Sequence, residues 1–104
     1  MMPILQGEVY WVNLDPTLGS EIKKTRPALV ISPNDLNQVL PRVIIAPITS
    51  KGQALGCRPE LVFKTKPARI LLDQLRTVDK RRLGQKMGEI DLAVWQPVLL
   101  ELFA

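Results

Sequence analysis

Short apolar runs alternate with polar stretches along this chain, and their length and composition are typical of β-strands. Residues 7–14 (GEVYWVNL), 27–32 (PALVIS) and 42–49 (RVIIAPIT) are rich in β-branched and aromatic side chains. They predict three strands, and the unbroken apolar character of the second and third predicts burial on both faces. Pro47 lies inside the third run. Because proline cannot donate to a strand ladder, it predicts an edge strand or a bulge there.

The second half of the chain predicts further strands. Residues 60–64 (ELVFK) and 69–76 (RILLDQLR) predict two, with a turn at Lys66 and Pro67 between them. Residues 77–90 begin as a turn and end in a short strand. Two polar stretches with glycine, residues 15–25 and 50–57, predict loops.

Helical spacing appears at the end of the sequence, in residues 91–103 (DLAVWQPVLLELF). Asp91 is suited to cap this helix, and Pro97 falls early in it. The residues predicted to share its packed face are Leu92, Trp95, Leu99, Leu102 and Phe103. A short turn of helix is also expected through Leu36 and Asn37.

These elements predict a mainly β, α+β fold in one domain of residues 1–104. Five or six short strands would form a small antiparallel barrel or curled sheet, with the terminal helix over one open side. No apolar run is long enough for a membrane span, and the first residues lack the pattern of a signal peptide. We therefore expect no membrane association and a cytoplasmic protein. The lone Cys57, which cannot form an internal disulfide or a metal cluster, agrees with that expectation.

The absence of histidine limits the possible chemistry. It excludes histidine metal sites and catalysis by Ser-His or Cys-His pairs, so any reaction must use Arg, Lys, Asp, Glu, Thr, Ser or Tyr. The formal net charge of +4 favours a polyanionic partner, but only weakly.

An arginine at the start of a buried strand is the first candidate for chemistry. Pro27 restricts the backbone of Arg26 to extended conformations, so the guanidinium leaves the junction of loop and strand in a limited range of directions. Guanidinium donors match phosphate oxygens and stay charged at any working pH. An ion pair with Asp or Glu at the strand end is the ordinary alternative.

Other polar residues lie at strand ends or in loops. Thr49 ends the third strand, Glu21 lies in the first loop, and Asp73 and Gln74 follow an apolar run. Each has an ordinary structural explanation, as does the basic cluster KRRLGQK at residues 80–86. Met87 and the two tryptophans are expected to fill the core rather than to stack on bases. Tyr10 and Trp11 alternate in one strand, so at most one of them faces inward.

Four blocks of sequence, taken in order, carry a resemblance to a known family. GEVYWVNLDPTLGSE at 7–21 resembles the N-terminal signature of the MazF/PemK toxin ribonucleases, and TRPALVIS at 25–32 resembles their second block. APITS at 46–50 and LDQLRTVDKRRL at 72–83 are similar to the third and fourth. Each block alone is weakly specific, whereas the combination is specific.

This resemblance implies a fold and an activity. The fold would be a small SH3-like antiparallel barrel (CcdB/PemK-like) with a C-terminal helix, assembled as a homodimer. The activity would be sequence-selective cleavage of single-stranded RNA without a metal or other cofactor. The 2′-hydroxyl of RNA would be the nucleophile, and the ends would be a 2′,3′-cyclic phosphate and a 5′-hydroxyl. The expected partner is a cognate antitoxin whose disordered acidic segment blocks the RNA groove.

The resemblance also assigns roles to single positions. Arg26 and Thr49 map to the catalytic pair, and Glu21 is the candidate for removal of the 2′-hydroxyl proton. The residues expected to bind RNA are Ser20, Lys24, Lys51, Asp73, Gln74 and Arg76.

Two departures favour the MazF-like branch of the family. The PemK-like branch has a histidine where this chain has Ser20, and an arginine where this chain has Leu71. Two other functions stay open for a barrel of this kind: a binding module without catalysis, and a toxin that poisons gyrase.

Overall fold

A computed structural model describes residues 3–14 and 24–103 of the chain. These residues form one seven-stranded antiparallel sheet with two α-helices. The strands are β1 (Glu8–Asn13), β2 (Thr25–Val30), β3 (Arg42–Thr49), β4 (Glu60–Phe63), β5 (Lys66–Ile70), β6 (Arg76–Asp79) and β7 (Leu83–Glu89). The helices are α1 (Asn34–Val39) and α2 (Leu92–Leu102), and short 3₁₀ turns cover Leu72–Gln74 and Lys80–Arg82. The sheet curls into a half-barrel that carries α2, as predicted.

Strand β3 joins the two halves of the sheet. The order is β4-β5-β3-β2-β1-β7, and β6 pairs with the remaining part of β3. Along the edge of β3 that faces away from β2, β3 pairs with β6 up to Ile45 and with β5 from Ile48 onward. Pro47 lies in the gap between these partners, and its carbonyl accepts from Leu71 N–H at 2.8 Å. The expectation of an edge strand is therefore wrong, because a change of partner spares Pro47 from donating just as an edge would.

The turn between β4 and β5 lies earlier than the sequence suggested. Lys64 and Thr65 form it, with φ angles of 50° and 69°. Such positive angles at both central residues are typical of a tight hairpin turn. Lys66 and Pro67 belong to β5 instead, where Pro67 pairs with Val62. Residues 77–90 also contribute more strand than expected, since β6 ends at Asp79 and β7 follows.

Both faces of the sheet are buried, which explains the unbroken apolar runs. One core lies beneath α2 and includes Val9, Leu29, Ile48 and Ile70, together with Trp95 of the helix. The second core lies on the other face and includes Val12, Leu14, Val30, Val43 and Ile45.

The helix α2 begins as predicted. The carboxylate of Asp91 accepts from Ala93 N–H at 2.8 Å and so caps the helix. Trp95 is buried and Leu99 packs against the core, as predicted, whereas Leu92, Leu102 and Phe103 are exposed. The assignment of these three to the packed face is wrong. Val94 and Val98 are the further residues that pack against the core. No described helix has the length and apolar character that a membrane crossing requires.

A buried ionic network fastens β1 to β7. Glu8 is only 4% exposed, and its carboxylate accepts from Tyr10 O–H at 2.8 Å and from Leu5 N–H at 2.6 Å. Lys86 Nζ lies 2.6 Å from the other Glu8 oxygen and 3.1 Å from Glu89. Burial alone would raise the pKa of Glu8, but the bonds from Lys86, Leu5 and Tyr10 outweigh it and lower that pKa.

Candidate active site

Pro27 creates an opening between β2 and β3. Ile31 N–H donates to Ile44 O at 2.9 Å, and hydrogen-bonded pairs recur at every second residue of an antiparallel ladder. This pattern requires the next donors at Leu29 and then at residue 27. Because Pro27 has no N–H, the hydrogen bond expected at residue 27 cannot form, and the paired residues end at Ala28 with Pro47. The pairing of β2 with β3 does not continue beyond this pair.

The register of these strands brings Arg26 opposite Thr49. Continuing the ladder two residues past the pair of Ala28 with Pro47 gives this match. Because side chains alternate along a strand, Arg26 and Thr49 also project from the same face. The two residues predicted to act together therefore flank the opening from opposite strands.

A pocket of about 450 Å³ occupies this end of the sheet, and both Arg26 and Thr49 line it. The apolar part of its lining consists of Trp11, Pro27, Ile48, Phe63, Pro67, Ala68 and Met87. Lys64 and Lys66 come from the β4–β5 hairpin, and Ser50 follows Thr49. The lining thus combines cations and a hydroxyl with aromatic rings.

The hydroxyl of Thr49 is held in place by the backbone. Thr49 is only 8% exposed, and its Oγ1 accepts from Lys51 N–H at 3.1 Å. A threonine hydroxyl that accepts in this way still has its own hydrogen to donate. The arrangement suits the positioning of a bound group better than the removal of a proton.

Asp73 lies outside this pocket and makes an ion pair. Both of its carboxylate oxygens accept from Arg58, each at 2.9 Å, and Arg58 also donates to Gln53 O at 3.0 Å. The hydrogen bonds from Arg58 lower the pKa of Asp73, against a smaller opposing effect of burial. The pair anchors the loop that follows Thr49. Gln74 is half-buried in the same 3₁₀ turn and donates its N–H to Leu71 O at 2.9 Å.

The other predicted RNA-binding residues that the structure describes do not line the pocket. Lys24 is exposed just before β2, and its carbonyl accepts from Leu14 N–H at 3.0 Å. Arg76 Nη1 donates to Leu14 O at 3.0 Å, and Lys51 is exposed in the loop after β3. Ser20 and Glu21 lie outside the described residues.

Sequence reasoning did not place Trp11 or the hairpin residues Phe63, Lys64 and Lys66 in the pocket. Trp11 was assigned to the core, but it is 40% exposed, whereas Tyr10 and Val12 on either side are buried. The alternation of β1 could have shown this, since Tyr10 and Trp11 cannot both face inward. Phe63, Lys64 and Lys66 reach the pocket through the hairpin, and no local signal predicts that contact. Trp95 and Met87 pack against the core as expected, although Met87 also lines the pocket.

The composition of the described residues gives no metal site. They contain no group of three or more Asp, Glu or Cys side chains arranged to hold an ion. The polar groups that do converge, Arg26 and Thr49, are a cation and a hydroxyl.

Comparison with known proteins identifies the class to which this half-barrel and pocket belong. The fold resembles that of MazF from Deinococcus radiodurans, with a TM-score of 0.86, 28% sequence identity, and coverage of 99% of this chain and 98% of that one. A structure of MazE-MazF from the same organism gives a TM-score of 0.76 at 25% identity, covering 99% and 98% of the two chains. The chain is also 35% identical over 96 residues to the endoribonuclease EndoA of Bacillus subtilis, covering 86% of this chain and 83% of the relative.

The family assignment extends over nearly the whole sequence. Residues 5–103 match the family described as the PemK-like, MazF-like toxins of type II toxin-antitoxin systems. The chain belongs to this family.

Proposed function

We propose that this protein is an endoribonuclease that cleaves single-stranded RNA at selected sequences, without a metal ion. The observation that carries the proposal is that Arg26 and Thr49 line one pocket, beside the point where the pairing of their strands ends. The similarity to an endoribonuclease from Bacillus subtilis supports the choice of reaction. A cytoplasmic site of action, where unpaired RNA is available, follows from it.

The reaction would use a nucleophile that RNA itself supplies. The 2′-hydroxyl attacks the adjacent phosphorus, a new O–P bond forms, and the bond from phosphorus to the 5′-oxygen breaks. The ends are a 2′,3′-cyclic phosphate and a 5′-hydroxyl. The proton of the 2′-hydroxyl goes to a base, for which we propose Glu21, and the leaving 5′-oxygen takes a proton from solvent water.

Arg26 would stabilise the transition state and Thr49 would position the phosphate. The guanidinium of Arg26 binds the non-bridging phosphate oxygens and stabilises the charge that grows on them in the transition state. The hydroxyl of Thr49 donates to the phosphate and keeps the attacking and leaving oxygens in line. DNA resists cleavage because it lacks the 2′-hydroxyl.

Substitution of Arg26 tests the assignment. Arg26→Ala is expected to lower the rate of cleavage by about 100-fold or more, because deletion of a donor to the developing charge has effects of this size. The assay uses a mixed-sequence RNA with EDTA present, and sequencing of the fragment 5′ ends gives the cleavage motif. A substrate with a 2′-deoxynucleotide at the mapped site should stay intact.

Arg81→Ala provides the matched control for this experiment. Arg81 is exposed, pairs with Asp79 and does not line the pocket, so its loss should leave cleavage within about threefold of wild type. A folded Arg26→Ala protein that keeps normal activity would contradict the assignment. RNA binding without fragments would indicate a binding module, and stalled gyrase with intact RNA would indicate a gyrase poison.

The path of RNA beyond the pocket is also a proposal. We assign contacts with the RNA backbone to Lys24, Lys51 and Arg76, and contacts with bases to Ser20 and Gln74. Asp73 is retained as an RNA contact, although both of its oxygens already bind Arg58.

Two protein partners complete the proposal. An antitoxin with a disordered acidic segment would occupy the cationic pocket, in keeping with the family description and with the MazE-MazF structure from Deinococcus radiodurans. A homodimer is the proposed assembly, and light scattering of the purified protein measures it directly.

A further inference from the structure

An exposed indole lies inside the pocket that holds Arg26 and Thr49. Trp11 is 40% exposed on a strand whose neighbouring side chains are buried. The ring therefore adds little to the core while presenting apolar aromatic surface to the cavity. A tryptophan in this position needs an explanation other than packing.

The backbone around Trp11 fixes the direction of its side chain. Its cross-strand partner on β2 is Pro27, which is rigid, and on β7 it adjoins Gly84. A Cβ atom at Gly84 would lie 3.5 Å from Trp11 Cβ, so the glycine leaves this side of the tryptophan open. The pairing of β1 with β7 also shifts register beside Trp11, between Tyr10 and Val12. Such irregularities often redirect a side chain next to a functional site.

Positive charge surrounds this ring on several sides. Arg26 comes from β2, and Lys64 and Lys66 come from the hairpin that forms the opposite wall. The described lining residues include no carboxylate. Cations that hold phosphates beside an aromatic ring that holds a base are the usual combination in sites for single-stranded nucleic acid.

Trp11 and the proposed catalytic pair occupy adjacent rows of the sheet. Trp11 lies level with Pro27, and Arg26 is the next residue along β2. Successive side chains of a strand point to opposite faces, but Trp11 and Arg26 both line the same pocket, so a base stacked on Trp11 and a phosphate bound by Arg26 would belong to neighbouring nucleotides. On this geometry we propose that Trp11 is the stacking platform for the base next to the scissile phosphate. The inference rests on the proposed endoribonuclease function and names one residue of its substrate site.

Fluorescence offers a direct test, because the chain has only two tryptophans and the other, Trp95, is 1% exposed in the core. The probe is a short single-stranded DNA that carries the mapped cleavage motif and cannot be cut. Its addition should quench Trp11 emission, with a titration that matches its affinity measured independently by anisotropy of a labelled copy.

Two substitutions separate stacking from simple hydrophobic contact. Trp11→Leu should weaken binding of this DNA by about tenfold, the scale of one base–aromatic stack, whereas Trp11→Phe should stay within about threefold of wild type. The matched control is Phe103→Ala, which removes an exposed aromatic ring just after α2 that does not line the pocket, and should leave binding of the DNA unchanged. Thermal unfolding of each variant establishes that it is folded.

The outcomes distinguish this inference from the function on which it rests. Wild-type protein that cleaves RNA and binds the DNA, with unquenched Trp11 or unchanged affinity in Trp11→Leu, would overturn the stacking platform and leave the nuclease intact. Protein that neither cuts nor binds RNA would overturn both. Quenching by an acidic peptide but not by nucleic acid would reassign the ring to a protein partner.

Discussion

The ionisation of Tyr10 is coupled to the fold. Burial raises its pKa to about 12, and the hydrogen bond to the Glu8 carboxylate and the charge of that carboxylate act in the same direction. An unfolded tyrosine ionises near pH 10, as a rough reference value. The folded state therefore retains the phenolic proton over a range in which the unfolded state loses it.

This difference predicts an alkaline loss of stability. The contribution of Tyr10 is fully present below about pH 10 and disappears as the pH rises towards 12, because only the unfolded state gains from ionisation in that range. Tyr10→Phe should be less stable by about 1–3 kcal/mol at pH 7, since the Glu8 carboxylate loses a donor. That deficit should shrink as the pH rises through this window.

Urea unfolding of both proteins at a series of pH values measures the effect. Tyr10 is the only tyrosine, so ultraviolet absorbance follows its ionisation without interference from another phenol. Equal alkaline destabilisation of wild type and Tyr10→Phe would contradict the prediction.

At the scale of single residues, the candidate catalytic residues were easier to predict than the positions of side chains in the fold. Arg26 could be singled out because proline restricts its direction in a chain without histidine, whereas Thr49 became a candidate only through the resemblance to the MazF/PemK family. That they meet at one pocket depends on the register of β2 and β3, which local sequence does not encode. Trp11 was misplaced because aromatic character alone does not say which face of a strand is buried.

Among the structural elements, the junction before β1 depends on a glycine. Gly7 has a φ of 90°, its N–H donates to Val30 O at 2.9 Å, and its carbonyl accepts from Ile90 N–H at 2.8 Å. A Cβ atom here would lie 3.3 Å from Ile90 O. The residue therefore links β1, β2 and the start of α2 in a conformation that other residues rarely adopt.

Gly7→Ala is expected to lower the free energy of unfolding by about 1–3 kcal/mol, the usual cost of a non-glycine residue in a strained conformation. Gly56→Ala is the matched control, because a Cβ there would meet nothing within 4 Å. It should change stability by no more than about 0.5 kcal/mol. Thermal or urea unfolding measures both, and equal stability of the two variants would show that the junction tolerates a side chain.

Element types were more predictable than element boundaries. The apolar runs predicted β1, β2 and β3 with nearly correct boundaries, and the capping residue Asp91 predicted the start of α2. The turn of the β4–β5 hairpin was misplaced because Lys64 and Thr65, rather than glycine or asparagine, adopt its positive φ angles. Pro47 predicted an edge strand or a bulge, because local sequence does not show that β3 changes its partner from β6 to β5 beside this proline.

Charge acts at the scale of the whole molecule. The net charge is +4, and Arg26, Lys64 and Lys66 all line the proposed RNA site. A polyanion is drawn to such a surface by long-range attraction that salt screens. RNA and an acidic peptide should therefore compete for it.

A synthetic peptide rich in aspartate and glutamate is expected to raise the KM for RNA while leaving kcat unchanged. Its inhibition should weaken as salt rises from about 50 to 200 mM, because attraction between exposed charges is screened over this range. The control peptide carries asparagine and glutamine at the same positions. Equal inhibition by both peptides, or inhibition that does not change with salt concentration, would show that charge does not determine peptide binding at this site.

The attachment of the β4–β5 hairpin has a mechanical consequence. β5 joins β3 at two positions, Ile48 with Ile70 and Thr49 with Arg69. The same hairpin carries Phe63, Lys64 and Lys66 into the far wall of the pocket. A ligand that moves the two walls apart would therefore displace Thr49, which pairs with β5 and carries the hydroxyl proposed to position the phosphate. The width of the cleft and the orientation of the Thr49 hydroxyl should therefore change together. Ligands of different bulk would then align the attacking oxygen differently.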